Sequence, residues 1–469
     1  MNLKHKLHHP VFKVLNEAAN ESGTKTFVVG GFVRDILLQR PNKDIDIVVE
    51  GNGIEFARKV ANKLENVRGF SVFKNFGTAM IKLDDYELEF VGARKESYRA
   101  ESRKPIVENG TIAEDQERRD FTINAMSISL NNVDFGELID PFEGQKDLDN
   151  GILKTPLHSD QTYSDDPLRM MRAIRFASQL HFKIEDQSFN SIVKNQERLS
   201  IVSAERINIE LNKIMESPQP SIGLELLYLT GIMEQILPEV HALQGVDEID
   251  GQTHKDNFYH TIEVVDNTAE TSTNVWLRWA ALLHDIGKPP TKRFDQEIGW
   301  TFHSHEMRGA KMVPAIFKRL KLPMNDKMKY VKELVYLSSR PAALSKDIVS
   351  DSAVRRLLHD AGDYIDDLML LVEADITSKN KERVKRYKDN FKEVRKKLKE
   401  IEEKDQVRNF QPPVSGEEIM STFSLKPCKA IGDLKSAIKE AILEGEIPNE
   451  REAAFNFMLK KGEELGLKQ

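Results

Sequence analysis

Short apolar runs in roughly the first 135 residues predict mixed α and β structure. Four runs rich in β-branched and aromatic residues, with turn residues nearby, predict strands: Thr26–Val29, Ile45–Val49, Thr78–Leu83 and Tyr86–Val91. The last two flank Asp84-Asp85 and should form a hairpin. Two segments with apolar residues three and four apart predict helices: Gly53–Leu64 and Arg119–Leu130.

The pattern changes near Pro167, where the strand signal almost disappears and helical spacing takes over. Predicted helices there include Leu168–Leu180, Ala204–Met215 and Ile222–Leu229. Lys381–Lys404 is one charged segment whose few apolar residues keep helical spacing. Gln411–Gly416 marks a turn before a last helical segment. The expected fold class is α+β, with mixed structure first and helices afterwards.

Length and composition set bounds on this picture. At about 150 residues per domain, the 469 residues predict about three domains. Apolar residues make up 40% and charged residues 30% of the chain, and no stretch approaches the roughly 18 apolar residues of a membrane span. The first residues lack the apolar run of a signal peptide, and the single Cys428 excludes an internal disulfide framework and a multi-cysteine zinc site. We therefore expect a cytoplasmic protein with no membrane partner.

The formal net charge of −7 argues against a nucleic-acid partner, for which a basic surface is expected. A whole-chain average hides local patches, however. Lys381–Lys404 holds eleven basic and six acidic residues and could contact an RNA backbone. A solvated helical face explains the same segment nearly as well.

The segment Val28–Val49, VVGGFVRDILLQRPNKDIDIVV, has the pattern of a phosphate-binding turn. A strand ends at Gly30-Gly31 and a helix should begin next to it, so that backbone N–H groups can approach an anion. Arg34 lies one turn into this helix and could reach a phosphate.

Asp44 and Asp46 lie on the strand that follows. Residues two apart in a strand point to the same face, and two such charges are costly to hold together unless a cation lies between them. Oxygen ligands beside a phosphate cradle suggest Mg²⁺ and a nucleoside triphosphate. Each part alone is more often a plain turn or a solvated strand face, whereas the combination favours the functional interpretation.

Three strings together resemble motifs A, B and D of the class II nucleotidyltransferases, the family of tRNA CCA-adding enzymes and bacterial poly(A) polymerases: GGFVRD with DID within 30–46, RRDFTINAM at 118–126, and DDPLRMMRAIRF at 165–176. The resemblance implies a head like that of DNA polymerase β, catalysis by Asp44 and Asp46 with Mg²⁺, and CTP, ATP and tRNA as partners. Glu89 on a neighbouring strand is a candidate third carboxylate. The charged segment 94–107 takes the place of the family's flexible loop, whose presence favours addition of the complete CCA sequence.

By the same resemblance, ten residues bind the nucleotide: Gly30, Gly31, Arg34, Arg119, Asp120, Asn124, Asp165, Asp166, Arg169 and Arg172. In the family, an acid pair and an arginine, here Asp165, Asp166 and Arg169, form an amino-acid template for the incoming base. The carboxylate accepts from the exocyclic amine of C or A, and the arginine donates to the ring nitrogen and carbonyl edge. Asp165 stands where many members have Glu, which moves its oxygens back by about one carbon–carbon bond. Arg169, Arg172 and Arg175 fall three apart and should form one basic stripe.

A second constellation combines imidazole and carboxylate groups: His260, the pair His284-Asp285, and Asp375 far along the chain. Such groups suit a divalent metal that activates water for phosphoester hydrolysis. The set resembles the HD superfamily, which implies that these four residues are the metal ligands, with His305 a candidate for a second ion. An adjacent His and Asp can bind one ion only where the helix is short or the pair lies at a kink. A purely architectural helical domain is the alternative.

The resemblance divides the chain into a nucleotidyltransferase head at 1–140, a helical RNA-binding neck at 141–245, an HD metal-binding domain at 246–380, and a helical tail contacting tRNA at 381–469. The main hypothesis is template-independent addition of C, C and A to the 3′ end of tRNA. A poly(A) polymerase or a partial CC- or A-adding enzyme is the first alternative. A mainly HD-type phosphohydrolase with an inactive head is the second. The sequence leaves the HD metal and the oligomeric state open.

Overall fold

The computed structural model describes residues 1–99, 102–249, 252–253, 256–344, 350–378 and 380–467. The contacts between its residues divide the chain into two compact units, Met1–Gln235 and Ile236–Gln469. The four domains expected from the sequence stay a prediction, because this division separates the chain at one point only.

The first unit mixes helices and strands. Its helices are α1 Pro10–Ser22, α2 Gly31–Leu37, α3 Gly53–Lys63, α4 Ile112–Glu117, α5 Gly144–Asp149, α6 Ser159–Asp165, α7 Leu168–Leu180, α8 Asp186–Asn195, α9 Ala204–Met215, α10 Pro220–Leu229 and α11 Ile232–Ile236. Its strands are β1 Thr26–Val29, β2 Asp44–Val49, β3 Gly69–Phe73, β4 Thr78–Lys82, β5 Glu87–Gly92, β6 Arg94–Arg99, β7 Ser102–Asn109, β8 Ser127–Ser129, β9 Leu138–Ile139, β10 Ile152–Leu153 and β11 Lys183–Ile184. The helices α7 and α9 match the predicted helices to the residue.

The second unit is mostly helical. Its helices are α12 Pro238–His241, α13 Asn257–Thr271, α14 Val275–Leu283, α15 Lys288–Thr291, α16 His305–Arg319, α17 Asp326–Leu337, α18 Arg340–Leu344, α19 Asp351–Ala361, α20 Ile365–Ala374, α21 Lys381–Asp405, α22 Gly416–Thr422, α23 Lys429–Glu444 and α24 Arg451–Glu464. Its strands form two short pairs: β12 Glu248–Ile249 with β13 Gln252–Thr253, and β14 Arg293–Asp295 with β15 Gly299–Thr301.

A seven-stranded sheet in the order β3-β4-β5-β2-β1-β8-β9 carries the strands predicted in the first unit. The expected hairpin around Asp84-Asp85 is confirmed as the antiparallel pair β4 and β5. β2 pairs in parallel with β5, and β1 pairs antiparallel with both β2 and β8. All four residues of β1 and the last three of β2 are buried, whereas the first residue of β2, Asp44, is exposed. The acidic end of β2 therefore emerges from the core of the sheet.

The helix predicted over Arg119–Leu130 is wrong. A short 3-10 helix covers Thr122–Asn124, and Ser127–Ser129 is strand β8, which pairs with the buried strand β1. The string MSISL at 126–130 alternates apolar residues with serines, which is the period of a strand. Apolar residues at the same positions also fit a helix, and pairing with the otherwise open side of β1 decides between the two.

Helix α21 is the single long helix that the charged segment Lys381–Lys404 predicts, and it runs to Asp405. Its buried side chains lie on the predicted apolar stripe: Phe391, Val394, Leu398 and Ile401. α21 packs against α19 and α20, and α20 in turn packs against α13 and α14. Among the residues that the structure describes, no helix combines the length and the apolar character needed to cross a membrane.

Candidate active site and candidate metal centre

The two aspartates of β2 face a cavity of about 610 Å³. Asp44 and Asp46 lie two residues apart, so both side chains leave the same face of the sheet. The parallel register with β5 places Glu87 opposite Asp44 and Glu89 opposite Asp46. All four carboxylates line the cavity. This set of oxygen donors is of the kind that Mg²⁺ prefers.

The pKa of Asp46 shows the electrostatic cost of this arrangement. Burial, together with the Glu89 and Asp44 carboxylates, raises the pKa of Asp46 to about 6, against the opposing charge of Arg119. A raised pKa means that the ionised carboxylate is poorly compensated. A divalent cation among these oxygens would supply the missing charge, so the residues fit the Mg²⁺ that the sequence predicts.

Gly30 is the point at which the backbone comes closest to the acidic cluster. Its φ of +73° lies in the left-handed region, and a Cβ at this position would lie 2.9 Å from Arg119 Nη1 and 3.1 Å from Asp46 Oδ2. The buried Asp115 fixes Arg119, because its Oδ2 accepts from Nη2 at 2.9 Å and from Nε at 3.1 Å. A residue without a side chain is therefore required between the guanidinium and the carboxylate.

A chain of hydrogen bonds joins the three motifs of the first unit. Arg34 donates to both oxygens of Asp35, at 2.8 and 3.0 Å, and its Nη1 donates to Asn124 Oδ1 at 2.9 Å. Asn124 Nδ2 donates to Asp120 Oδ1 at 3.1 Å, and Arg172 Nε donates to Asp120 Oδ2 at 2.7 Å. Burial opposes ionisation of Asp120, but Arg172 and Asn124 outweigh it and lower the pKa of Asp120 to about 2. Apart from Asp35, these residues line the cavity of the acidic cluster.

The three arginines of α7, which were predicted to form one basic stripe, are each paired in the structure. Arg175 is buried and pairs with the buried Glu210 of α9 at 2.6 Å. Arg172 pairs with Asp120, and Arg169 donates to a backbone carbonyl of motif B. Each guanidinium thus has its own polar partner, and Arg172 and Arg175 also share the ring of Phe176.

A second cavity, of about 370 Å³, shares three residues of motifs B and D with the first. Asp166 and Arg169, two members of the predicted base template, line it. Asp165 lines neither cavity, and its Oδ1 accepts from Gln161 Nε2 at 2.5 Å. The structure therefore brings Asp166 and Arg169 together and leaves Asp165 outside both cavities.

The second unit brings together the predicted HD ligands. His260 of α13 lies with Nε2 2.8 Å from Oδ1 of Asp375, which directly follows α20. His284 Nε2 lies 3.3 Å from Asp285 Oδ2 and 3.6 Å from Asp375 Oδ1. The His284-Asp285 pair sits in the turn between α14 and α15, which meets the condition that both side chains reach one point. His305 Nε2 lies 3.6 Å from Asp285 Oδ1, at the edge of the cluster.

The side chains of this cluster are arranged as ligands of a divalent ion would be. The Nδ1 atoms are engaged, by Thr377 Oγ1 at 2.8 Å for His260 and by a backbone carbonyl at 2.7 Å for His284, so the Nε2 atoms turn inward. His284 Nε2 is buried with no hydrogen-bond partner. Burial lowers the pKa of His284, but the carboxylates of Asp285 and Asp375 outweigh it and raise that pKa to about 10. The same negative potential would attract a metal ion in place of the proton.

Three segments of the chain match family models. Residues 26–154 match the poly A polymerase head domain, 181–244 the probable RNA and SrmB-binding site of polymerase A, and 257–353 the HD domain. An A-adding tRNA nucleotidyltransferase of Deinococcus radiodurans is 32% identical over 355 residues, which cover 73% of this chain and 78% of the relative. The chain belongs to the tRNA nucleotidyltransferase family.

Other members support the same assignment. A multifunctional CCA protein of Neisseria gonorrhoeae is 34% identical over 304 residues, or 64% of this chain and 70% of the relative. The structure of a Thermotoga maritima CCA-adding enzyme complexed with tRNA aligns with a TM-score of 0.62 and 22% identity over 98% of this chain and 99% of that one. A tRNA nucleotidyltransferase complexed with a primer tRNA and an ATP analog aligns with a TM-score of 0.57 and 26% identity over 81% of this chain and 98% of that one. The expected α+β fold is confirmed, and the chain is a nucleotidyltransferase.

The sequence did not predict a site role for five residues of this tRNA nucleotidyltransferase site: Asn42, Glu87, Asp115, Phe176 and Lys213. The signal for Glu87 was its alternation with Glu89 along one strand. The signal for Asp115 was its place one helical turn before Arg118 and Arg119, both of which it binds. Lys213 enters the cavity from α9 and carries no local signal.

Phe176 has a defined role that motif matching alone does not reveal. The guanidinium groups of Arg34, Arg172 and Arg175 lie 5.1, 5.4 and 4.0 Å from its ring centroid. Three cations around one aromatic ring are held by its quadrupole as well as by their acidic partners. Phe176 therefore helps to orient the basic wall of the tRNA nucleotidyltransferase cavity.

Proposed function

We propose that the protein adds C, C and A to the 3′ end of tRNA from CTP and ATP, with Mg²⁺ and without a nucleic-acid template. The observation that carries this proposal is the cavity in which Asp44 and Asp46 face a wall of arginines. Relatives named for A addition and for CCA, and solved family structures that hold tRNA, CTP or ATP, support the choice of substrates. The expected cytoplasmic location remains a prediction.

In this reaction the terminal 3′-oxygen of tRNA forms a bond to the α-phosphorus of the nucleoside triphosphate. The bond from that phosphorus to the bridging oxygen breaks, pyrophosphate leaves, and the hydroxyl proton is released. Mg²⁺, when bound, supplies positive charge that acidifies the hydroxyl and neutralises the leaving group. Asp44, Asp46 and Glu89 would hold it, because their carboxylates line one opening.

The remaining residues of the site bind and orient the substrates. Gly30 leaves room for a phosphate beside Arg119, which Asp115 holds in place. The Asp120–Arg172 pair offers acceptor and donor groups to ribose hydroxyls and phosphates. For the base itself we assign the edge-reading role to residues of the second cavity, in which a carboxylate accepts from the exocyclic amine of C or A and an arginine donates to the ring edge.

A product ladder tests the proposal. Purified protein is incubated with three tRNA substrates, ending before C74, after C74 or after C75, with CTP and ATP offered separately and together. We expect one or two C additions with CTP and completion to CCA with both. Asp46→Asn should give no product under any condition, and Asp85→Asn, on the exposed hairpin turn, serves as the matched control. Long tails from ATP alone on a generic RNA would instead identify a poly(A) polymerase.

Addition of A alone is the second candidate, because three of the relatives that the chain resembles are named A-adding tRNA nucleotidyltransferases. The same ladder separates the two candidates. An A-adding enzyme extends only the substrate that ends after C75, and it leaves the shorter substrates unchanged with CTP.

For the second unit we propose a metal-dependent phosphohydrolase that acts on terminal phosphate monoesters or 2′,3′-cyclic phosphates. The support is the cluster of His260, His284 and Asp285, whose donor atoms lie within 4.8 Å of one another. A divalent ion there would supply an activated water for hydrolysis. Metal content by mass spectrometry and phosphate release should both be lost in His284→Ala. A wild-type protein that retains no metal and stays silent across several divalent ions would overturn this assignment.

A further inference from the structure

A cavity of about 790 Å³ lies against the HD metal cluster. His260 and Asp375 form part of its wall, so the cavity opens onto two of the predicted ligands. Its size suits a ligand of one nucleotide, since small-molecule pockets span about 300–1,000 Å³. Helix α21 contributes Arg383 and Tyr387 to the lining of the same cavity.

The apolar stripe of helix α21 becomes less buried where the helix reaches this cavity. Its apolar stripe is buried from Phe391 onward, but Tyr387, one turn earlier, is only half-buried. Ion pairs fix the helix after this point, among them Arg395 with Glu373 of α20 at 2.6 Å. The first turns of α21 are therefore held as a wall of the cavity.

Arg383 and Tyr387 are arranged as a pair within that wall. The Arg383 guanidinium carbon lies 5.5 Å from the Tyr387 ring centroid, and its Nη2 donates to the Tyr387 hydroxyl at 3.2 Å. Arg383 is exposed, so its remaining N–H groups reach solvent or ligand. Tyr259 of α13, 44% exposed, lines the same cavity. A guanidinium group beside aromatic rings can bind a phosphate and stack with a base at the same time.

We propose that Arg383 and Tyr387 recognise a nucleoside phosphate at the HD site, with the phosphate on Arg383 and the base stacked on Tyr387. The proposal rests on the proposed phosphohydrolase and names its substrate class and specificity residues. Glu263, exposed on the cavity wall, is placed to accept from an amine or a ribose hydroxyl. Both specificity residues lie beyond 257–353, the part of the chain that matches the HD family. The substrate preference is therefore set by the helix that follows the HD domain.

Metal-free binding tests the proposal separately from hydrolysis. The full chain is titrated with adenosine 3′-monophosphate and with adenosine in EDTA, and the heat of binding gives each Kd. We expect Arg383→Gln to raise the Kd of the monophosphate by about 10- to 100-fold, because a hydrogen bond to a charged group is lost. The Kd of adenosine for Arg383→Gln should equal that for the wild type. Tyr387→Ala should raise the Kd of both ligands, and Tyr387→Phe should bind both to within about threefold of the wild type.

Lys388→Gln is the matched control, because Lys388 is an exposed cation of the same helix that does not line the cavity. It should bind both ligands as the wild type does. Arg383→Lys keeps the charge and should recover part of the discrimination between the two ligands. A short RNA ending in a 3′-phosphate, compared with the same RNA ending in a hydroxyl, distinguishes an RNA terminus from a free nucleotide as the source.

The outcomes separate the two proposals. The assignment of the phosphate contact is overturned if Arg383→Gln still discriminates between monophosphate and adenosine as the wild type does. It is also overturned if this variant loses affinity for both ligands equally. If the binding pattern holds while no divalent ion supports phosphate release, the recognition site stands and the phosphohydrolase falls. If phosphate is released but Arg383→Gln and Tyr387→Ala bind as the wild type does, only the present inference falls.

Discussion

The Asp46 side chain is subject to two opposing effects on its ionisation. The proposed catalysis needs its ionised form as a cation ligand, while burial and the neighbouring carboxylates favour the protonated form and raise its pKa to about 6. Because this value exceeds the ordinary value near 3.9, the native state binds the proton more tightly than the unfolded chain does. The contribution of Asp46 to stability is thus complete below about pH 4 and lost as the pH rises through about 6.

Asp46→Asn removes this penalty and the cation ligand at once. In metal-free buffer at pH 8 we expect the variant to be more stable than the wild type by roughly 1–3 kcal/mol, with the gain shrinking at pH 5. Nucleotide addition should be absent at both pH values. Urea unfolding at the two pH values measures the gain. An equal gain at pH 5 and pH 8 would show that Asp46 titrates normally.

Gly30→Ala tests the close approach of the backbone to the acidic cluster. The positive φ and the short distances to Arg119 and Asp46 predict a loss of roughly 1–3 kcal/mol in stability and at least a tenfold loss in the rate of addition. Gly31→Ala is the neighbouring control, since its Cβ would lie 3.6 Å from Arg34, an ordinary contact. Denaturant midpoints and single-turnover rates check both variants, and equal effects at the two glycines would contradict the steric argument.

At the scale of elements, helix α7 connects the site to the helices behind it. One side of α7 pairs with motif B through Arg172 and Asp120, and Arg175 pairs with Glu210 of α9. Glu210 stabilises the packing of α9 against α7, because its partner is a buried cation rather than a substrate group.

Glu210→Ala leaves Arg175 buried without its partner, which costs about 3–5 kcal/mol. The double variant Arg175→Met with Glu210→Leu should recover much of this loss, because it removes both buried charges. Thermal unfolding of the three proteins measures the effect. Lys146→Ala breaks an exposed ion pair with Glu143 and should change stability by less than about 1 kcal/mol. A Glu210→Ala variant as stable as Lys146→Ala would contradict the assignment.

The elements that carry local patterns were predictable, and those that depend on distant segments were not. Strand β2 follows from the β-branched run Ile45–Val49, and the spacing of two places Asp44 and Asp46 on one face. Strand β8 was misread as a helix because Met-Ser-Ile-Ser-Leu fits both periods until β1 is known to lie beside it. Asp165 was grouped with Asp166 by the resemblance to the family's acid pair, but α6 ends at Asp165, and Asp166 alone of the two lines the cavity that Arg169 also lines. Lys213 reaches the cavity by tertiary folding alone.

At the scale of the whole molecule, the two clusters of candidate metal ligands lie in two units of similar length. The acidic cluster around Asp46 offers oxygen donors only, whereas the cluster around His284 offers nitrogen and oxygen. These donor sets favour different ions, Mg²⁺ in the first and a transition-metal ion in the second. The net charge of −7 includes the carboxylates of both clusters, so it does not describe the surface proposed to meet tRNA.

Calorimetry of the whole chain tests whether the two clusters act separately. Mg²⁺ with CTP should raise the Tm of one unfolding transition, and Mn²⁺ alone should raise the Tm of another. Each shift should be about 2–4 °C at saturating ligand. Asp46→Asn should remove the first shift only, and His284→Ala the second only. If one ligand shifts both transitions equally, the two units unfold as one and the assignment of independent clusters is wrong.

The position of Asp375 has a consequence for how such proteins are counted and inherited. This predicted ligand lies past residue 353, where the match to the HD family ends. A missense mutation of Asp375 would leave a fully recognisable HD signature in the genome and a centre that lacks one of its acids. Surveys that infer hydrolytic capacity from the signature alone would then score a lost activity as present. Loss of the activity could also spread unnoticed in a lineage, because nucleotide addition by the first unit would not depend on it.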